Sequence, residues 1–308
     1  MQRRHLALVL AYVMILILIV SGIIFCVKRS GIAIRRIAHA FHLDKIMGMS
    51  DRMIASRHIR KATRYMRGGD FKRAKAHLQR ALKLDPKNYV AYRFLIILYI
   101  REDNQRDLNA ILQRAESALP KSQASYLYTE VGDYYAYQGV PRLPLAERYY
   151  ERAIQLDPNN ATALNNYGYT LADNGRQLNK AEKLIKKAVE LEKNNAAFID
   201  SMGWVYYKQG RYDEALKWLK KAVKLEPNDA ELRYHLGMVY IALNRLEEAR
   251  AQLEKAIRLN PNHIGAQRAL NEMEQLKKHQ RRLRPHEMAY HKTKCNPTVG
   301  LLLALIES

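Results

Sequence analysis

The sequence predicts an all-α fold: a solenoid of about six helix-turn-helix repeats behind one N-terminal transmembrane helix. Three observations carry that prediction. The first is a period. Residues 196–229 and 230–263 are each 34 residues long and align position by position. Gly203 pairs with Gly237 at position 8, Tyr206 with Tyr240 at 11, Ala215 with Ala249 at 20, Leu219 with Leu253 at 24, Ala222 with Ala256 at 27, and Pro227 with Pro261 at 32. The second is the order of sizes. Small residues at 8, 20 and 27 let two antiparallel helices approach, large ones at 7, 11 and 24 fill the space between them, and the proline stops the second helix. The third is Leu6 to Val27, 22 residues without a charge. At a helical rise of about 1.5 Å per residue such a run spans roughly 33 Å, the thickness of a hydrocarbon core.

The periodic pattern resembles the tetratricopeptide repeat family. The segments LNNYGYTLADNG (residues 164–175) and DSMGWVYYKQGRYDEAL (residues 200–216) are similar to stretches of bacterial members, and the resemblance covers about two-thirds of the chain. It implies repeats stacked into a right-handed superhelix that binds other proteins, with a concave wall built from positions 2, 5, 6, 9, 12 and 13 of each first helix. The layout of one anchor followed by repeats is similar to bacterial envelope proteins that recruit or assemble membrane components.

In chain order, residues 1–5 form a short tail and residues 6–27 the membrane helix. A cleavable signal peptide is the rival reading, since Arg3 and Arg4 precede the run. The run is longer than a signal core, and Lys28 and Arg29 separate it from the small residues Gly31 and Ala33, so an uncleaved single-pass anchor in the plasma (inner) membrane is expected. Lys28, Arg29, Arg35, Arg36 and Lys45 outweigh Arg3 and Arg4, which favours repeats on the cytoplasmic side; a large domain also translocates regardless of charge, which leaves a periplasmic or extracellular placement open. Residues 28–54 read as a basic juxtamembrane helix, either lying along the interface or simply connecting.

Six repeats follow, at 55–88, 89–122, 125–160, 161–195, 196–229 and 230–263. The first carries Arg57, Arg60, Lys61 and Arg64 at helical spacing, read as either contacts to anionic headgroups or a solvated face. The second is worn: Ile96 and Leu108 stand where small residues belong, which should hold its helices apart. The third has a turn lengthened by two residues around Pro141 and Pro144, and the fourth ends on Lys193 in place of proline. A capping helix over 264–283 closes the array. The tail 284–308 either docks on that helix or is disordered.

Charge and chemistry narrow the function. The net charge of +22 is concentrated at the two ends: residues 1–54 carry +6 and 55–88 carry +9, whereas 89–263 carry only +3 and 264–308 carry +4. No uniform basic stripe runs along the array, so no nucleic-acid partner is expected. Cys26 and Cys295 cannot make a disulfide framework. The string HEMAYH (His286 to His291) has histidines five apart, about 140° around a helix, rather than the four of a zinc peptidase. No catalytic constellation, cofactor site or metal site is expected, and the chain reads as non-catalytic.

The family's wall positions then give candidate partner-binding residues: Tyr126, Glu130, Asp133, Asn165, Asn166, Tyr169, Asp200, Trp204, Tyr207 and Tyr234. Aromatic and polar side chains of this kind suit a peptide or protein segment held by stacking and hydrogen bonds. Trp204 and Tyr207 read as groove anchors, and His235 and His263 as ordinary surface or groove residues. The cationic clamp that cochaperone members use on a C-terminal carboxylate is missing, since Thr129, Asp133, Ala197 and Ser201 flank Asn166. Acidic wall residues favour a neutral or basic peptide. The resulting expectation is a membrane-anchored adaptor or scaffold. Its alternatives are a permanent subunit of an envelope assembly and, further off, a membrane-linked enzyme with a metal in its tail.

Overall fold

The computed structural model describes residues 44–282. Among them are thirteen α-helices, one 3-10 turn and no strand. They are α1 (Asp44–Arg67), α2 (Phe71–Leu84), α3 (Tyr89–Arg101), α4 (Gln105–Ala118), α5 (Lys121–Tyr137), α6 (Leu143–Leu156), α7 (Ala161–Asp173), α8 (Leu178–Leu191), α9 (Ala196–Lys208), α10 (Tyr212–Leu225), α11 (Ala230–Ala242), α12 (Leu246–Leu259) and α13 (Ile264–Arg282). The described chain is all-helical, a succession of helix pairs. It divides into two compact units, 44–119 and 120–282 among the described residues. None of the described helices is long and apolar enough to cross a membrane. The run Leu6 to Val27, the stretch 28–43 and the tail with His286, His291 and Cys295 lie outside the described residues.

Each helix pair follows from its small residues. Gly132, Gly168, Gly203 and Gly237 recur at position 8, and a Cβ built on any of them would lie 2.6–2.8 Å from a side chain of the partner helix. Opposite them Ala146, Ala181, Ala215 and Ala249 are fully buried. In the pair α3–α4, Ile96 and Leu108 occupy these places, both buried, and that pair makes far fewer close backbone approaches than the others. Bulk at the contact line therefore holds those helices apart, as ridge-and-groove packing requires.

Turn chemistry separates the elements. The tight turn inside each repeat needs a left-handed residue, supplied by glycine in most and by Asp103 (φ 48°) and Asn244 (φ 56°) in the second and sixth; short polar side chains tolerate that region. The lengthened turn of the third repeat is the 3-10 segment Val140–Arg142, and Pro144 then sits in the first turn of α6, where no amide donor is missed. Between repeats, Asn88, Asn160, Asn195 and Asp229 cap the next helix through their side-chain oxygens. At α13 the cap is His263, whose Nδ1 accepts from the Ala266 amide at 3.1 Å. Ala266, Ala269 and Met273 of α13 are buried in the core cluster formed with α9 to α12, which covers the apolar end the array would otherwise expose.

The first unit begins earlier than the repeat register suggests. α1 runs unbroken from Asp44 to Arg67, so residues 44–54 continue the first helix of the first repeat. Ala55 and Ala62 bury one face of it. Arg57, Arg60, Lys61 and Arg64 are exposed.

Candidate functional site

In the second unit the first helices α5, α7, α9 and α11 stand side by side, and a cleft of about 620 Å³ opens along them. Asp133 and Tyr137 come from α5, Asn165, Asn166, Tyr169 and Asp173 from α7, Asp200 and Ser201 from α9, and Glu231 and His235 from α11. Repeat stacking is what assembles them. A residue on one first helix meets its counterpart about one repeat later, so Asn166 donates to Asp133 at 2.9 Å across 33 residues. Asn160 likewise donates to Ser125 at 2.8 Å and to Thr129 at 3.2 Å, deep in the packing.

At the inner wall His235 is buried, only 1% exposed. Its Nδ1 lies 2.7 Å from Asp200 Oδ2, and its Nε2 lies 3.4 Å from Glu231 Oε1. The ring stacks on Trp204 with centroids 4.1 Å apart. Burial pushes the imidazole toward its neutral form, but the Asp200 carboxylate and then Glu231 outweigh it, so the pKa lies above the ordinary value of 6.5. A protonated ring donates from both nitrogens and lies face-on to an indole, an arrangement that also favours the cation. Glu231 is held below its ordinary range, chiefly by a hydrogen bond from His263 and by the nearby imidazoles, against the opposing effect of burial. Because His263 Nδ1 accepts from a backbone amide, its proton sits on Nε2, 3.0 Å from Glu231 Oε2. Asp133 is pushed above the usual carboxylate range by burial, partly offset by hydrogen bonds from Tyr150 at 2.7 Å and from Asn166.

The sequence-predicted wall residues separate into two groups. Asp133, Asn165, Asn166, Tyr169 and Asp200 line the cleft together. Tyr126, 47% exposed, and Glu130 lie on the same helix α5 as Asp133 but do not line it. Trp204 and Tyr207 are corrected: each is only 4% exposed. They stack on one another with centroids 4.7 Å apart, and the Trp204 indole donates to Asp173 at 3.1 Å. They brace the wall from behind and present no anchor to a partner. Tyr234 packs between Trp204 and His263 in the same cluster. His235, expected at the surface or in the groove, does line the cleft but is buried in its wall. Tyr137, at position 13 of the third repeat and so also a wall position by the register, is 90% exposed at the cleft and the most open aromatic there. Among the described residues no group of three or more His, Cys, Asp or Glu could hold a metal ion.

Comparison with known proteins supports the repeat reading. Three stretches match tetratricopeptide repeat models: residues 55–88, 149–183 and 206–273. Among curated proteins none matches the chain. The fold is similar to the crystal structure of PilW, described as a widely conserved type IV pilus biogenesis factor. That match has a TM-score of 0.51 and 21% identity over 70% of this chain and 97% of that one. PilF of Pseudomonas aeruginosa matches with a TM-score of 0.51 and 18% identity over 71% of this chain and 97% of that one. A chain of the anaphase-promoting complex hetero-tetramer Cut9–Hcn1 matches with a TM-score of 0.51 and 20% identity, over 71% of this chain and 42% of that one. At such identities the likeness is one of fold.

Proposed function

From a chain that carries tetratricopeptide repeats, we propose a membrane-anchored, non-catalytic adaptor that holds a segment of a partner protein in the cleft along α5, α7, α9 and α11. The carrying observation is the cleft itself: about 620 Å³, lined by aromatic and hydrogen-bonding side chains on four rigid, stacked helices. An extended segment laid across those helices would meet a new pair of wall residues at each one. The 22-residue uncharged run Leu6 to Val27 supplies the anchor, which raises the local concentration of the cleft for partners at the membrane. The basic excess that follows the run favours a cytoplasmic array, and Arg57, Arg60, Lys61 and Arg64 of α1, which are exposed, would contact anionic headgroups in this reading.

A second reading, a permanently assembled envelope subunit, is favoured by the first unit. Val90 and Ile97 hold wall positions 2 and 9 of α3 and are 45% and 41% exposed, apolar area of the kind that lasting interfaces cover. The resemblance in fold to a pilus biogenesis factor is compatible with either reading.

A photo-cross-linking residue at Tyr137 tests the adaptor, with one at Lys217 on α10 as control, in the full-length chain inside intact cells. The expected result is a discrete cross-linked polypeptide from Tyr137 alone, sedimenting with membranes after an alkaline wash. Equal products from both sites would remove the cleft from the account, and a soluble product would remove the anchor.

A further inference from the structure

The cleft has a chemical bias that the fold does not require. Five carboxylates line it, those of Asp133, Asp173, Asp200, Asp229 and Glu231, and neither lysine nor arginine does. The chain as a whole runs the other way, with 52 basic residues against 30 acidic ones. Acceptors are also left over. Asp200 is 5% exposed and Asn165 6%, and among the described residues the Oδ1 atom of each accepts no hydrogen bond. The amide donors nearby are already committed: Asn165 Nδ2 donates to Asn166 at 3.2 Å, and Asn166 Nδ2 donates to Asp133. Buried acceptors without donors are costly, and with five carboxylates and no lysine or arginine in the lining the wall is complementary to a cationic ligand rich in donors.

We propose that the cleft is a cation-accepting site that takes the guanidinium of an arginine in the partner segment. The proposal rests on the groove reading and specifies its ligand. A guanidinium carries five N–H donors, a fixed positive charge and no acceptor. Its plane stacks on aromatic rings, which Tyr137 and Tyr169 provide in the cleft wall. A lysine ammonium offers only three donors at one point and no plane to stack, so it fits the spread of acceptors less well. Burial holds Asp133 above its usual range, and a cation seated beside it would favour its charged form.

A substitution set exists that removes charge while keeping the fold. Every hydrogen bond seen at Asp133, Asp173 and Asp229 goes to Oδ1: from Tyr150 and Asn166, from the Trp204 indole, and from the amides of Glu231 and Leu232. Asparagine keeps that oxygen, so Asp133→Asn, Asp173→Asn and Asp229→Asn together subtract three charges while retaining each acceptor now in use. The probes are fluorescent decapeptides carrying two arginines, with lysine, citrulline or glutamate in their place in otherwise identical chains, titrated against the purified full-length protein by anisotropy. Arginine should bind best, and citrulline, the same shape without the charge, about tenfold or more weaker. The triple variant, its helicity checked by circular dichroism, should lose about as much for the arginine peptide and nothing for citrulline. Equal binding of arginine and citrulline peptides overturns the proposal, as does a triple variant that binds arginine like the parent. If glutamate or citrulline peptides bind best and still occupy the cleft, the groove reading survives without its cation. If no peptide binds and Tyr137 cross-links nothing, both fail.

Discussion

Asp200→Ala should destabilise the second unit by about 3 kcal/mol near pH 6, because it strips a buried histidine of its counter-ion. His235 is 1% exposed, with its Nδ1 2.7 Å from the Asp200 carboxylate. Removing the carboxylate leaves two choices, an imidazolium without its main partner or a neutral ring with an unsatisfied nitrogen, and both cost free energy. Stability should also depend on pH in a signed way. The folded pKa of His235 is raised above 6.5, so its contribution is fully present below about pH 6.5 and fades as pH rises through the folded value. Glu231 is depressed below 4.5; its contribution is present above that and is lost as pH falls through the folded value. The parent should therefore melt highest in the mildly acidic range and lose midpoint above neutrality. The variant should lose that alkaline slope. Denaturant melts from pH 5 to pH 9 measure both, and a variant as stable as the parent at pH 6 would mean that the pair contributes nothing.

Gly168→Val should cost about 3 kcal/mol of the same unit by overpacking. A Cβ on Gly168 would stand 2.6 Å from Ile185 Cγ1 and 3.0 Å from the Ala181 carbonyl oxygen. Ile185 and Ala181 are both fully buried, and a backbone oxygen cannot turn aside as a side chain can. Valine would otherwise be a better helix former than glycine by a few tenths of a kcal/mol, so a net loss isolates the close approach of α7 and α8. Thermal denaturation with intact helicity at low temperature is the readout. An unchanged midpoint would mean that the two helices move apart without penalty, as the bulky pair α3–α4 has done.

The fold was legible because the constraint is local and repeated. Glycine at position 8 and alanine at position 20 announce where two helices touch, and the structure packs them there. The break in the pattern at Ile96 and Leu108 announced the loosely paired α3 and α4 as well. The site was only half legible. Family register says which residues face the inner wall, yet it treats each first helix alone. Side chains at positions 5, 6 and 9 reach sideways to the neighbouring repeat: Asp200 to His235 across 35 residues, and Trp204 to Asp173 across 31. A large aromatic with a histidine on the next helix and an aspartate on the previous one is enclosed by both, which is why Trp204 and Tyr207 proved to be packing. An aspartate followed 35 residues later by a histidine was the available signal for the buried pair. Tyr137 was legible as a wall position, but its 90% exposure was not, because it ends α5 just before the lengthened turn, whose course the period does not encode.

The central claim is that the cleft receives a polypeptide, and blocking it is the most direct measurement. Ala197 is exposed and lines the cleft on α9, so Ala197→Trp fills the space without entering the core. Peptides selected from a random display library on the full-length parent would be titrated against parent and variant. A loss of about tenfold or more in affinity with an unchanged melting midpoint is the predicted result. Peptides that bind the filled variant as tightly as the parent would show that the partner is held elsewhere on the array.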